Sequence, residues 1–197
     1  MTITRDAAIS AGMAIRGKLL PEELGWLYDL AQMAPDGPSV EVGAYCGRSV
    51  ATWSAARVGR GTGAWAAARA SRGAIIASDI VCRPELPVAL AGLGYPTELV
   101  IAPSWDAAAL VPDDLAFVFI DADHGIDGIP KDILVWPQKV KRGGIIVFHD
   151  YDVWKERVHR PGNPGVVVKA EVDKWQAGAK WEDLGAVRSA KAYRRPL

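Results

Sequence analysis

Two short segments of the sequence contain most of the residues that could do chemistry. FVFIDADHG at 117–125 and GGIIVFHDY at 143–151 are each an apolar run that ends abruptly in ionisable side chains. This pattern is typical of a buried parallel strand whose carboxyl end delivers side chains to a site. The ionisable residues that would meet there are Asp121, Asp123, His124, His149 and Asp150. Carboxylates and imidazoles in one place predict a metal ion, a proton acceptor, or both.

Strand-like and helix-like segments alternate in the chain around these two motifs. The predicted strands lie at 39–43, 74–79, 97–101, 115–120 and 143–149, with a terminal hairpin of 180–186 and 187–193. Predicted helices cover 21–34, 84–93, 128–140 and 165–177, and another begins near Gly47. Such alternation predicts a mainly parallel sheet with helices on both faces. Sheets of this kind bind ligands beyond the carboxyl ends of their strands.

The length of 197 residues favours one domain with a substantial core. We expect an N-terminal helical region at 1–38 and a Rossmann-like core at 39–197, with an excursion at 59–73 that lengthens the first crossover.

The charge balance argues against several classes of partner. Lys plus Arg and Asp plus Glu both number 23, so the basic excess of a nucleic-acid-binding protein is missing. The first twenty residues contain early charges and no sustained apolar run, so we expect neither a signal peptide nor a membrane anchor. A cytoplasmic protein without nucleic-acid or membrane partners is the expectation, and a homo-oligomer remains open.

The segment EVGAYCGRS at 41–49 combines a strand end, a glycine turn and a helix start. It lacks the full G-x-G-x-x-G dinucleotide pattern, and Glu41 stands where the first glycine would be. An acid there would repel a pyrophosphate but suits a cationic ligand such as S-adenosylmethionine, directly or through water. Gly43 and Gly47 would allow close approach of the backbone to that ligand. Glu41 could instead be a helix-cap partner.

Asp79 ends the second predicted strand, where an acid typically accepts hydrogen bonds from ribose hydroxyls. It lies further along the chain than the usual spacing of about 20 residues, a gap that the 59–73 excursion can absorb. The alternative is that Asp79 simply starts a turn.

Taken in order, these motifs resemble a known family. LPEELGWLYDLA, VEVGAYCGRSV, ASDI, FVFIDADH, GGIIVFHDY and NPGVVVKAEVDKW run over residues 20–175. The chain is similar to class I S-adenosylmethionine-dependent methyltransferases, specifically the metal-dependent O-methyltransferase-like group called methyltransferase family 24. The resemblance implies an α/β, Rossmann-like, doubly wound sheet of seven strands, mostly parallel with an antiparallel strand in the C-terminal hairpin.

The resemblance also implies roles for the acid and imidazole residues. Asp121, His149 and Asp150 match the positions that hold a divalent cation, and His124 matches a general base. Close relatives often have an acid in place of His149. Because Mg²⁺ prefers oxygen ligands, an imidazole there shifts the preference from Mg²⁺ toward Mn²⁺, Fe²⁺ or Zn²⁺. His149 could also be a hydrogen-bonding neighbour and not a ligand.

Ser104 and Trp105 follow the third strand, where this fold often contacts adenine. Stacking of Trp105 on the base and a plain core role are both compatible with the sequence.

The resulting hypothesis is metal-assisted O-methylation of a small hydroxylated molecule such as a sugar, diol or catechol, with S-adenosyl-L-methionine as methyl donor. Two alternatives remain. One is a nicotinamide-dependent oxidoreductase on a similar sheet, and the other is a non-catalytic module that binds S-adenosylmethionine or a metal. The segment YDVWKERVHRPGN at 151–163 is a candidate acceptor loop.

Overall fold

The computed structural model describes residues 3–58, 74–94, 97–152 and 164–197. Its helices are α1 (Arg5–Ala14), α2 (Pro21–Met33), α3 (Arg48–Val58), α4 (Glu85–Gly92), α5 (Ser104–Leu110), α6 (Ile129–Lys139) and α7 (Pro164–Ala179). Its strands are β1 (Ser39–Val42), β2 (Ile75–Asp79), β3 (Glu98–Ile101), β4 (Leu115–Ile120), β5 (Val140–Phe148), β6 (Glu182–Val187) and β7 (Ala190–Arg194). The expected excursion at 59–73 and most of the expected acceptor loop lie outside the described residues.

All seven strands form one sheet in the order β3-β2-β1-β4-β5-β7-β6. The first five are parallel, and β7 lies antiparallel between β5 and β6. This confirms the predicted fold class. Strand order reverses between β1 and β4, so the crevice for a ligand is expected at the carboxyl ends of these two strands and their neighbours.

The sheet is central because its middle strands are apolar on both faces. Every residue of β4 is buried. Phe117 and Phe119 pack on one face together with residues of α2, α3 and α4. Val118 and Ile120 pack on the other face with residues of α5, α6 and α7. Side chains that alternate along β4 therefore contribute to two separate hydrophobic cores, as a three-layer α/β fold requires.

Three details differ from the sequence-based expectations. The helix α5 was not predicted, since a seven-residue stretch gives little periodic signal. Strand β5 begins at Val140, three residues early, and its pairing with β4 contains a register shift between Leu115 and Phe117. The hairpin strands begin two or three residues later than predicted. Among the described helices, none has the length and apolar character that crossing a bilayer requires.

Candidate functional site

The loop after β1 packs directly against the end of β4. Gly43 has φ +90°, and a Cβ at this position would lie 2.1 Å from the carbonyl oxygen of Asp121. Its amide and that of Ala44 both donate to the carbonyl of Ser78 at the end of β2. Gly47 has φ +93° and faces α4, where a Cβ would meet Ala89 at 3.2 Å. The two glycines therefore let one loop join three neighbouring strand ends.

Asp79 fixes the shape of the same loop. Its Oδ2 accepts a hydrogen bond from the Tyr45 amide at 2.7 Å, and its Oδ1 accepts one from the Val81 amide at 3.0 Å. Tyr45 has φ +51°, a conformation that needs support in a bulky residue. The described contacts of Asp79 are thus those of a loop-holding acid, which does not test its expected role toward a ribose.

Glu41 lies beneath the loop with none of its surface exposed. Trp53 Nε1 donates to its Oε2 at 2.6 Å, and Ser49 Oγ lies 2.5 Å from its Oε1. Burial raises the pKa of Glu41 to about 8, against the hydrogen bonds of Ser49 and Trp53, which lower it. The carboxyl is therefore mostly protonated at neutral pH. The attraction for a sulfonium that the sequence led us to expect is correspondingly weak, and its partners here lie within the protein.

Ser104 and Trp105 begin α5 but differ in environment. Ser104 is buried, donates to Asp132 Oδ1 and accepts from Trp136 Nε1 at 3.0 Å. It thereby ties α5 to α6. Trp105 is half-buried beside an open groove of about 510 Å³ between these helices. Lys131 Nζ lies 4.1 Å from the centroid of its ring. Adenine binding by either residue stays a prediction.

Four of the five ionisable residues expected at the ends of β4 and β5 do meet. One potential ligand atom from each of Asp121, His124, His149 and Asp150 lies within 4.8 Å of every other. Asp121 Oδ1 is 3.1 Å from His124 Nε2 and 3.0 Å from His149 Nδ1. Asp150 Oδ2 lies 3.2 Å from His124 Nε2, and its Oδ1 lies 3.7 Å from His149 Nδ1. We refer to these four residues as the acid–imidazole cluster.

Asp123 does not join the cluster. It is exposed, and its Oδ1 accepts a hydrogen bond from the Gly125 amide at 2.8 Å. The expectation that Asp123 meets the other four residues was therefore wrong, because its carboxylate is held in a solvent-facing turn.

Two residues that the sequence did not single out for this site contact the cluster from behind. Glu23 on α2 is buried, and its Oε1 lies 3.3 Å from His149 Nε2. Ser189, in the turn between β6 and β7, has its Oγ 3.1 Å from the same nitrogen. The spacing of Glu23, three residues after the N-cap residue Leu20, indicates a capping acid. The signal could not show which partner it meets.

The charges within the cluster favour one another. Burial alone would raise the pKa of Asp121, but the positive charge and hydrogen bonds of His149 and the hydrogen bond of His124 outweigh it and lower the pKa to about 2. Burial would lower the pKa of His149, yet the neighbouring carboxylates, Asp121 foremost, hold it well above its usual value. The pKa of His124 is raised for the same reason. The carboxylates and the imidazoles of the cluster therefore favour the charged forms of one another.

The same donor set fits a divalent cation. Two carboxylates and two imidazoles within one small volume offer both oxygen and nitrogen ligands, as Mn²⁺, Fe²⁺ and Zn²⁺ accept. Asp150 has φ +52°, an unusual backbone conformation of the kind that often occurs at functional sites. His124 belongs to this set as well, so its geometry suits a ligand as much as a base.

Comparisons with known proteins agree with this fold. A search of curated proteins returns no match. An O-methyltransferase from Bacillus cereus in complex with S-adenosylhomocysteine superposes with a TM-score of 0.65 at 15% identity, covering 96% of this chain and 90% of that one. TomG from Streptomyces achromogenes, an O-methyltransferase of tomaymycin synthesis bound to S-adenosylmethionine, gives 0.65 at 15% identity over 96% and 88%. The S-adenosylhomocysteine-bound methyltransferase PaMTH1 of Podospora anserina gives 0.64 at 15% identity over 98% and 88%.

The family assignment comes from the sequence of the site-bearing strands. The model of methyltransferase family 24, described as a methyltransferase domain, matches residues 40–151. This range is more than half of the chain, and it contains the glycine loop after β1 and the whole acid–imidazole cluster. The protein therefore belongs to methyltransferase family 24, within the class I S-adenosylmethionine-dependent methyltransferases.

Proposed function

We propose that the protein transfers the methyl group of S-adenosylmethionine to a hydroxyl oxygen of a small molecule, with a divalent cation bound at the acid–imidazole cluster. The observation that carries the proposal is the position of that cluster. It stands at the carboxyl ends of β4 and β5, next to the glycine loop after β1, in a methyltransferase fold. A methyl donor in the crevice and an acceptor at the cluster would be neighbours.

The cofactor is expected along the carboxyl ends of β1, β2 and β3. Gly43 and Gly47 keep the loop close to the sheet, and Asp79 holds the loop from its other side. Glu41 would act through this loop, since its carboxyl is enclosed. Ser104 and Trp105 would border the adenine. In the reaction the bond from sulfur to the methyl carbon breaks as the bond from oxygen to carbon forms, leaving S-adenosylhomocysteine.

The cation would be held by Asp121, His149 and Asp150. A bound cation lowers the pKa of a hydroxyl that it contacts and fixes its direction. The mixed oxygen and nitrogen donor set favours Mn²⁺, Fe²⁺ or Zn²⁺ over Mg²⁺.

His124 would accept the proton of the acceptor hydroxyl. Its side chain is more exposed than that of His149, and its Nε2 lies within 3.2 Å of a carboxylate oxygen of both Asp121 and Asp150. A general base must be neutral, whereas the carboxylates favour the protonated ring in the free protein. A cation beside the ring would repel the imidazolium form and restore the neutral base.

The family match favours a methyltransferase over a nicotinamide-dependent oxidoreductase. A module that binds S-adenosylmethionine without turnover is the remaining alternative. Calorimetry with S-adenosylmethionine and with a nicotinamide dinucleotide distinguishes a methyltransferase from an oxidoreductase. Transfer of a labelled methyl group to a panel of sugars, diols and catechols, with Mn²⁺ or with a chelator, distinguishes a methyltransferase from a module without turnover.

We expect S-adenosylmethionine to bind and at least one hydroxylated acceptor to be labelled only with the cation. His124→Ala should lose turnover by about 100-fold or more while retaining cofactor affinity. Asp127→Ala is the control, because Asp127 is an exposed residue of the same segment. Equal losses in both variants, or loss of cofactor binding in His124→Ala, would contradict the base assignment. Labelling that is unaffected by chelation would contradict the metal-assisted mechanism.

A further inference from the structure

We propose that Glu23 is a positioning residue for His149, which fixes the ring so that Nδ1 presents its lone pair to the cluster. The inference rests on the proposed function, because it concerns how His149 is prepared to bind a cation. The inference gives a residue of α2 a role at the acid–imidazole cluster, although α2 lies outside the residues matched by the family model.

The ring of His149 lies between two sets of acceptors. Its Nδ1 faces the cluster, 3.0 Å from Asp121 Oδ1. Its Nε2 faces away from the cluster, 3.3 Å from Glu23 Oε1 and 3.1 Å from Ser189 Oγ. Phe119 packs against the ring at a centroid distance of 6.0 Å, nearly perpendicular to it. The ring is buried, so its orientation is set by these few contacts.

Glu23 itself is held in place by donors from two ends of the chain. Its Oε2 accepts a hydrogen bond from the Leu20 amide at 2.9 Å, which caps the start of α2. Its Oε1 accepts from the Ser189 amide at 3.3 Å and from Ser189 Oγ at 2.8 Å. Both oxygens of this buried carboxylate therefore accept hydrogen bonds, which fixes its orientation.

The direction of these hydrogen bonds selects one tautomer. A neutral imidazole has one N–H and one lone pair, and its neighbours decide which nitrogen carries the hydrogen. Glu23 can only accept at Nε2. Ser189 gives its hydroxyl hydrogen to Glu23, so its oxygen can also only accept there. The hydrogen of the neutral ring is therefore held on Nε2, and Nδ1 is left for the cluster. Carboxylate partners of this kind orient the histidine ligands of metal sites.

The test measures Mn²⁺ affinity by calorimetry in the full-length protein and in variants. Glu23→Ala should weaken Mn²⁺ binding about 10- to 100-fold, the usual effect of losing such a partner. Glu23→Gln should recover part of the loss, because its amide oxygen can still accept from Nε2. Glu22→Ala is the matched control. Glu22 lies in the same helical turn, and its substitution removes the same charge as Glu23→Ala. Its side chain, however, is exposed and pairs with Arg188. We expect it to change the affinity less than twofold.

A second readout does not depend on a metal. Long-range proton–nitrogen NMR spectra of the metal-free protein, at a pH where the His149 ring is neutral, should show the hydrogen on Nε2. In Glu23→Ala the two tautomers should mix, whereas Glu22→Ala should match the original protein. The proposal is overturned if the original protein carries the hydrogen on Nδ1, or if Glu23→Ala leaves the spectrum unchanged.

The two readouts separate the two proposals. A protein that binds no Mn²⁺, Mg²⁺ or Zn²⁺ but shows the Nε2 hydrogen counts against the metal-assisted mechanism and supports the role of Glu23. If Glu23→Ala fails to fold because its helix cap is lost, Ser189→Ala provides the test. It keeps the hydrogen bond between Glu23 and Leu20 and removes one acceptor at Nε2. A severalfold loss of affinity with an unchanged melting temperature supports the proposal, and an unchanged affinity and spectrum overturn it.

Discussion

The ends of β1 and β2 and the ends of β4 and β5 lie along one edge of the sheet, yet they use similar residues differently. Glu41 and Asp79, on the first pair, receive hydrogen bonds from donors that belong to their own surroundings. Asp121 and Asp150, on the second pair, face two imidazoles that both carboxylates share. The acids of the first region accept hydrogen bonds from amides, an indole and a hydroxyl, while those of the second region pair with imidazoles.

This difference shows that an acid at a strand end does not define a site by itself. What decides is how many donors reach it from the fold. Backbone amides, an indole and a hydroxyl satisfy the acids of β1 and β2, so these residues shape the loop. The acids of β4 and β5 instead pair with imidazoles, which are themselves metal ligands, so the proposed cation site rests on this second region.

Gly43→Ala should have the largest effect, because it disrupts the junction between the two regions. The added Cβ would overlap the Asp121 carbonyl, in addition to the strain at φ +90°. We expect a loss of more than about 3 kcal/mol in the free energy of unfolding, measured with urea. Gly185→Ala is the control, with φ +94° and nothing within 4 Å of the added Cβ. It should cost only about 1–2 kcal/mol, and equal losses would show that strain alone is responsible.

Glu41→Gln tests whether the carboxyl of Glu41, in the first region, is uncharged in the folded protein. Glutamate in an unfolded chain titrates near 4.5, whereas the pKa of folded Glu41 is about 8. Its contribution to stability is therefore fully present below 4.5 and is lost as the pH rises through 8. The original protein should lose up to about 3 kcal/mol relative to Glu41→Gln between pH 5 and pH 8. Unfolding curves at several pH values provide the measurement. Parallel pH profiles would mean that Glu41 is charged in the folded protein.

Asp150→Asn tests the second region. Asparagine tolerates the φ of +52° at this position, so the backbone should be retained. Mn²⁺ affinity should fall at least as far as the roughly 10- to 100-fold that follows loss of a group that only orients a ligand. Asp6→Asn, at an exposed position on α1, is the control for the change of charge. An affinity that stays within twofold would remove Asp150 from the proposed ligand set.

Asp79→Asn should have the smallest effect. One of the two amides of Tyr45 and Val81 would lose its acceptor, which costs about 1 kcal/mol. Thermal unfolding would detect this loss, and calorimetry would measure the affinity for S-adenosylmethionine. If the loss in binding free energy for the cofactor exceeds the loss in the free energy of unfolding, the expected ribose contact is supported. Equal small changes would leave Asp79 as a loop-holding acid.

The strands of the sheet could be predicted from the sequence because the patterns that indicate them are local. The apolar run at 115–120 and the glycine turn after Val42 each predict their own structure, and β4 has the predicted bounds. The convergence of Asp121, His124, His149 and Asp150 follows from parallel strands that end at one edge. Helix α5 was missed because seven residues are too few for a helical period.

The remainder depended on contacts that no spacing reveals. Trp53 reaches Glu41 from α3, and this contact makes the acid an internal partner. Glu23 lies in the first turn of α2, where its position alone accounts for an acid. Its contacts to His149 and Ser189 span 126 and 166 residues of sequence. Such separations are set by the topology of the whole sheet.

The hydrogen bond between Glu23 and Ser189 also has a consequence for biosynthesis. Translation at about 5–20 residues per second places roughly ten seconds or more between the appearance of these two partners. During that interval the growing polypeptide can form α1 and α2, but Glu23 still lacks its partner Ser189. Because β7 pairs with β5, the hairpin of β6 and β7 must be in the sheet before Ser189 can reach Glu23. A nascent chain is thus unable to complete the contacts of Glu23 before the turn between β6 and β7 has been synthesised.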